Sequence, residues 1–414
     1  MNFRYKFFIT FLLLYIFIFP SNSFADDFIE ETSSPLSTTI SVSNFKDTPS
    51  LNARYAVIYD RASKTVLYGK SENEKCKMAS TTKILTAIVV LENVSDLSAK
   101  VTISSKSAHT GGSRLGLSTG DIITIHDLLY GLLMVSGNDA AVALAEFTSG
   151  SVEDFSKLMN KKASSLGLTS SHFVTPHGLD QDEHYTTAYE LAKIADYALC
   201  NETFSKIVNT SSYTVLIDGN SKNLHNTNEL LGSLDGVYGI KTGFTNGANR
   251  CLVTSCKRGN LDIISVVLGC DTKKDRTLDS IKLINYAFNN FTLVNVDEII
   301  RKDFNDWVNQ NSRNINIEKG IYQDLNFSLD ESQIQFKNIA VNNDFVDSVN
   351  TNIEFSNSFD APLLENSVIG NLTINVNGLD YFSVDILNKT LIKKKNIFNY
   401  LNAFAKNYFA YFDL

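Results

Sequence analysis

The chain has 414 residues, 43% hydrophobic and 20% charged, enough for two folded domains with a sizeable core. A formal net charge of −8 without an arginine-rich patch argues against nucleic-acid binding, and the aromatic residues are scattered rather than set out as a base-stacking platform.

Arg4 and Lys6 precede an apolar run from Phe7 to Phe19, followed by Ser23-Phe24-Ala25 and two aspartates. The run is shorter than the roughly 20 residues of a membrane span, and small residues stand where an export peptidase reads. The expectation is a leader over residues 1–25, cleaved after Ala25, then a flexible Ser/Thr/Asp-rich lead-in over 26–48. Residues 53–67 read as strand, turn, strand, and Ile84 to Leu91 as an apolar helix beginning near Ser80. Thr124 to Thr148 has helical periodicity, with an interruption at Ser136-Gly137-Asn138. Phe155 to Leu166 and Thr187 to Leu199 are further helices, separated by a loop containing Pro176-His177-Gly178.

From Gly239 the pattern turns strand-like, through Gly243, Cys251–Thr254 and Leu261–Leu268, before a helix over Asp279–Phe288. The order predicts an α/β catalytic domain over 49–290 with an antiparallel sheet and flanking helices. Beyond Phe291, asparagine becomes abundant and short alternating segments predict a small all-β domain over 291–388. A turn is expected at Gly370-Asn371, before a strand over Leu372–Val376. Lys393-Lys394-Lys395 opens a tail (389–414) whose Ile397, Leu401, Phe404, Tyr408 and Tyr411 share one helical side, widened by Phe398, Phe409 and Phe412. A basic cluster before an aromatic helix fits a membrane interface. The other reading is a terminal helix packed on the second domain or on a partner.

Export permits disulfides, but five cysteines cannot all pair within one chain. They show no metal-ligand spacing, and Cys251 and Cys256 read as small hydrophobes in strands. Cys76, just before Ser80, reads as buried filler. The six histidines form no metal set, so the sequence calls for no metal and no cofactor. His177 is expected to shape a loop; His184 and His225 carry still less signal.

Three short strings carry the chemistry: Ser80-Thr81-Thr82-Lys83, Ser136-Gly137-Asn138 and Lys241-Thr242-Gly243. A serine hydroxyl is a poor nucleophile until a base takes its proton. Three residues apart at a helix start, Ser80 and Lys83 share a face, and the free N–H groups of that terminus suit a developing oxyanion. Lys83 must be neutral for part of the cycle, a form that burial and nearby Lys241 favour. Ser136 is placed to relay a proton to a leaving amine and Asn138 to hold a substrate amide. Lys241 and Thr242 suit a carboxylate, and Gly243 leaves room for a ligand backbone at a strand edge. Each string alone is weak. Together they specify acyl transfer by an active serine.

The longer segments Met78–Lys83, Ser136–Ala141, Phe173–Leu179, Asn226–Asn228 and Gly239–Thr245 resemble those of the low-molecular-mass penicillin-binding proteins that are serine-type D-alanyl-D-alanine carboxypeptidases. The resemblance implies a five-stranded antiparallel sheet with flanking helices, a small β domain and a membrane-associating tail. It implies removal of the terminal D-alanine from peptidoglycan stem pentapeptides through an acyl-enzyme on Ser80, and slow-releasing acylation by β-lactam antibiotics. It also carries Arg276 into the substrate-carboxylate network, and an exported location at the outer face of the cytoplasmic membrane or in the cell-wall space. Ala248-Asn249-Arg250 departs from the glycine that the family often has at that turn. A class A β-lactamase would need a Glu-x-x-Leu-Asn string, which is absent between Ser136 and Lys241. An endopeptidase would use the same residues; a penicillin-binding scaffold would need none of them.

Overall fold

The computed structural model describes residues 48–311, 315–321, 325–334 and 336–410. The leader, the lead-in up to residue 47, and Tyr411 and Phe412 of the tail lie outside them.

The hairpin β1 (Tyr55–Asp60) and β2 (Val66–Lys70) opens the first unit. Its turn is closed by Asp60 Oδ2, which accepts from the Ser63 amide at 2.7 Å, with Lys64 left-handed at φ 57°. The chain returns to this hairpin some 200 residues later. β3 (Val237–Thr245), β4 (Asn249–Arg258) and β5 (Leu261–Cys270) form two antiparallel hairpins, and β5 pairs with β1 from Tyr55↔Leu268 to Asp60↔Ile263. The resulting five-stranded sheet has the order β2-β1-β5-β4-β3.

Both faces of this sheet are covered, which explains why β5 reads as a nearly continuous apolar run rather than an alternation. Val57, Val253, Ile264 and Val266 face a helical layer. Ile58, Leu252, Ile263 and Val267 face α6 (Lys273–Asn290), which buries Ile281, Leu283, Ile284 and Ala287 against them. The helical layer contains α1 (Lys83–Asn93), α2 (Ile125–Met134), α3 (Asn138–Ser149), α4 (Val152–Ser165) and α5 (Ala188–Leu199). Their starts are legible: the Thr124, Ser151 and Thr187 hydroxyls each accept from an amide three residues on, satisfying a donor the helix leaves unpaired. Small residues Ala140, Ala141, Ala143 and Ala145 let α3 run close to its neighbours, and Gly150 at φ 82° ends it.

The second unit is β-rich, but it also contains α7 (Val296–Asn311), a helix the sequence reading did not anticipate. Val296, Ile300, Phe304 and Trp307 recur at helical spacing and are buried, while asparagine and charge dilute the signal between them. β6 (Phe291–Asn295) pairs with β8 (Asn338–Asn342), and a four-stranded sheet joins β7 (Phe327–Leu329), β11 (Leu379–Asn388), β10 (Val368–Val376) and β9 (Asn350–Phe355) in that order. The turn expected at Gly370-Asn371 is not there. Both residues lie within β10, where the register shifts after Val368 and a side chain at Gly370 would meet the Glu354 carbonyl at 2.5 Å. The hairpin turn falls at Asn377-Gly378, at φ 52° and 77°, where two left-handed residues match strand twist.

The chain stays on this unit past β11: Ile392 is fully buried in its core, and the Lys395 amide bonds the Lys319 carbonyl at 2.7 Å. α8 (Ile397–Ala410) then leaves Ile397, Phe398, Leu401 and Phe404 exposed, each by more than half. No helix of the described residues is long and apolar enough to cross a membrane. All five cysteines are free thiols; Cys76 is half-buried, Cys200 exposed, and the other three buried.

Candidate active site

Ser80 sits in a 3-10 turn, Ala79–Thr82, that feeds directly into α1. Ala79 before it is left-handed at φ 48°, an uncommon conformation for a residue with a Cβ. The turn is closed by its own hydroxyls: Thr81 Oγ1 donates to the Met78 carbonyl at 2.6 Å and Thr82 Oγ1 to the Ala79 carbonyl at 2.8 Å. Lys83, on the same face, is completely buried, with Nζ 2.8 Å from Ser80 Oγ. Nζ also lies 2.6 Å from Asn138 Oδ1 and 2.9 Å from the His177 carbonyl. Those two oxygens only accept, whereas the serine hydroxyl accepts or donates. A neutral amine can therefore donate to both carbonyl oxygens and turn its lone pair to the Ser80 proton.

The break between α2 and α3 supplies the second string. Ser136 is left-handed at φ 61°, and its Oγ is buried without a hydrogen-bond partner among the described residues. Asn138 opens α3; besides meeting Lys83, its Nδ2 donates to the Gly111 carbonyl at 2.7 Å. One Asn138 N–H and one lone pair on Oδ1 remain for a substrate amide. The buried Asp139 carboxylate accepts from the amides of Leu115, Gly116 and Leu117 at 2.7, 2.8 and 3.0 Å, fixing the loop beside it.

The third string lies on β3, the edge of the sheet. A Cβ at Gly243 would stand 3.0 Å from the Ser80 amide nitrogen and 3.2 Å from that of Thr81, so the strand runs directly against the turn that carries Ser80. Lys241 is buried, with Nζ 3.0 Å from the Thr242 carbonyl. Thr242 Oγ1 lies 2.8 Å from Thr227 Oγ1, and the Thr227 amide bonds the Met134 carbonyl at the end of α2. Thus Ser80, Lys83 and Asn138 meet by hydrogen bonds, and Gly243 reaches the same turn. Arg276, on α6, is buried beside Glu229, with Nη2 3.9 Å from Oε2; Lys273 Nζ approaches the other carboxylate oxygen to 2.6 Å.

The loop over 172–184 contributes more than its sequence suggests. His177 supplies its carbonyl to Lys83, while its imidazole is pushed down to about 3, first by loss of water and then by the Lys83 charge. Gly178, at φ 90°, leaves the space that the Ala79 carbonyl fills. Asp180, not singled out by the sequence reading, accepts from Thr245 Oγ1 at 2.7 Å and the Gly247 amide at 2.9 Å, anchoring the turn after β3. In that turn Asn249 adopts φ 56°, meeting with an asparagine the conformational demand usually given to glycine. His184, given little weight from sequence, has Nε2 2.8 Å from Thr82 Oγ1.

A family model described as D-alanyl-D-alanine carboxypeptidase (peptidase family S11) matches residues 42–272. The D-alanyl-D-alanine carboxypeptidase DacF of Bacillus subtilis is 32% identical over 356 residues, covering 84% of this chain and 88% of its own. The chain belongs to the D-alanyl-D-alanine carboxypeptidase family. A D-alanyl-D-alanine carboxypeptidase of a Streptomyces species is 39% identical over 241 residues, covering 54% of this chain and 83% of that relative. Among solved structures, penicillin-binding protein 5 of Haemophilus influenzae superposes with a TM-score of 0.68 at 26% identity, over 84% of this chain and 99% of that one. Family membership accounts for the five-stranded antiparallel sheet with its flanking helices. Among the described residues no cluster of three His, Cys, Asp or Glu side chains could hold a metal ion.

Proposed function

We propose that the protein is an exported serine-type D-Ala-D-Ala carboxypeptidase that removes the terminal D-alanine of peptidoglycan stem pentapeptides through an acyl-enzyme on Ser80. The observation that carries this reading is the 2.8 Å approach of the buried Lys83 Nζ to Ser80 Oγ, in a turn lying against the Gly243 edge. Neutral Lys83 takes the Ser80 proton as Oγ attacks the carbonyl of the penultimate D-alanine. Negative charge on that oxygen is met by N–H groups at the start of the nucleophile helix. The Ser136 hydroxyl passes a proton to the departing amine as the C–N bond breaks, releasing D-alanine. Water then attacks the ester, and the proton returns to Ser80 Oγ. Asn138 holds a substrate amide, Lys241 and Thr242 bind the terminal carboxylate, Gly243 admits the ligand backbone, and Arg276 adds positive charge to the carboxylate network. β-Lactam antibiotics acylate the same serine. No cofactor takes part.

The test is D-alanine release from a diacylated peptide ending in D-Ala-D-Ala. Wild type should release D-alanine and Ser80→Ala should not; equal release by both would sink the proposal.

The domain division belongs to the same proposal: a leader over 1–25, a lead-in over 26–48, an acyl-transfer unit over 49–290, a β-rich unit over 291–388 and a tail over 389–414. The tail rests on the outer face of the cytoplasmic membrane, a reading supported by Lys393–Lys395 ahead of the exposed Ile397, Phe398, Leu401 and Phe404. Deleting residues 393–414 should move the protein from the membrane to the soluble fraction with acylation retained. An unchanged distribution on fractionation would defeat the anchor.

A further inference from the structure

His184 has the burial of a core residue and the bonding of something more specific. It is 2% exposed, with the Phe173 ring edge-on at 5.8 Å. Burial requires partners for both ring nitrogens, and the partners found here lead to the turn that carries Ser80. Nδ1 lies 3.0 Å from the Val174 amide nitrogen and 3.4 Å from that of Thr175. An amide N–H only donates, so Nδ1 accepts, and the neutral ring carries its proton on Nε2. Thr82 Oγ1, 2.8 Å from Nε2, already donates to the Ala79 carbonyl at 2.8 Å, so it accepts from the ring. The bonds run in one direction, from the Val174 amide through the imidazole and the Thr82 hydroxyl to the Ala79 carbonyl, each polarising the next. They end on the peptide group between left-handed Ala79 and Ser80. Gly178 bounds the same carbonyl on another side.

We propose that His184 is a positioning residue for acyl transfer: acting through Thr82, it holds the Ala79 carbonyl and so fixes the strained turn that aims Ser80 Oγ. The proposal rests on the reading of Ser80 as nucleophile.

The experiment follows acylation by a fluorescent penicillin, separating the noncovalent dissociation constant from the first-order acylation rate constant and correcting for the titratable fraction. The shorter amide of His184→Asn reaches the Val174 side and not Thr82, whereas His184→Gln can still donate to Thr82. Thr82→Val removes the hydroxyl at nearly constant volume. His184→Asn and Thr82→Val should each lower the acylation rate constant about 10- to 100-fold with little change in the dissociation constant. His184→Gln should recover most of the loss. The double variant His184→Asn/Thr82→Val should be no slower than the slower single one, because both break the same chain. Rate constants at the wild-type level, even with a lowered melting temperature, would overturn the proposal, as would multiplicative losses in the double variant. A Ser80→Ala control separates the two readings. If it is still acylated, the nucleophile assignment fails; if it is inert while the His184 and Thr82 variants react normally, only the positioning role fails.

Discussion

Lys83→Ala is expected to lower the rate constant for acylation of Ser80 by at least about 1,000-fold, the scale on which removing one member of a nucleophile–base pair acts. Lys83 Nζ, the base in the proposed mechanism, lies 2.8 Å from Ser80 Oγ, and no carboxylate or imidazole nitrogen bonds that hydroxyl among the described residues. The substitution also strips a donor from Asn138 Oδ1 and from the His177 carbonyl. Each acceptor left dry costs about 1–3 kcal/mol, offset in part because a buried amine no longer has to be desolvated. Lys83→Arg should not restore the rate. A guanidinium stays protonated and is too bulky for a site in which the lysine is completely buried. Stopped-flow acylation alongside urea unfolding checks both parts. A loss of less than tenfold would mean that another group takes the proton.

Gly178→Ala is expected to lower unfolding free energy by about 3 kcal/mol and to abolish most acylation with it. The new Cβ would stand 2.0 Å from the Ala79 carbonyl oxygen and 2.7 Å from Thr82 Oγ1, at a φ of 90° that disfavours any side chain. Backbone is what it meets, so relief requires moving the nucleophile turn or the loop over 172–184. Gly219 provides the control: its φ is 78°, yet a Cβ there meets nothing within 4 Å. Gly219→Ala should therefore show the conformational penalty alone, about 1 kcal/mol, with acylation unchanged. Equal destabilisation by the two substitutions in urea melts would show that close packing at Gly178 has no special cost.

What sequence conveys here follows the range of the interactions concerned. Ser80 and Lys83 are legible because their spacing by itself puts them on one helical face, and the Ser136-Gly137-Asn138 interruption because glycine and asparagine break a strong helical period. The catalytic sheet is legible because strands buried on both faces leave apolar runs such as Leu261–Cys270. α7 was hidden by its composition, four buried apolar residues among asparagines and charges. The β10–β11 turn was misplaced because Gly370 serves a close approach to Glu354, while Asn377-Gly378 held the real hairpin signal. Asp180 and His184 act on residues 65 and 102 positions away, and nothing local in the chain announces such contacts. The pairing of Arg276 with Glu229, 47 positions before it, is equally long in range (229 and 276).

The most direct measurement is the mass of the protein after brief exposure to benzylpenicillin, followed by peptide mapping of the adduct. A single penicilloyl group on the peptide containing Ser80, missing from Ser80→Ala and formed far more slowly in Lys83→Ala, is the predicted result. An adduct on any other residue, or one that persists in Ser80→Ala, would contradict the assignment of Ser80 as the nucleophile.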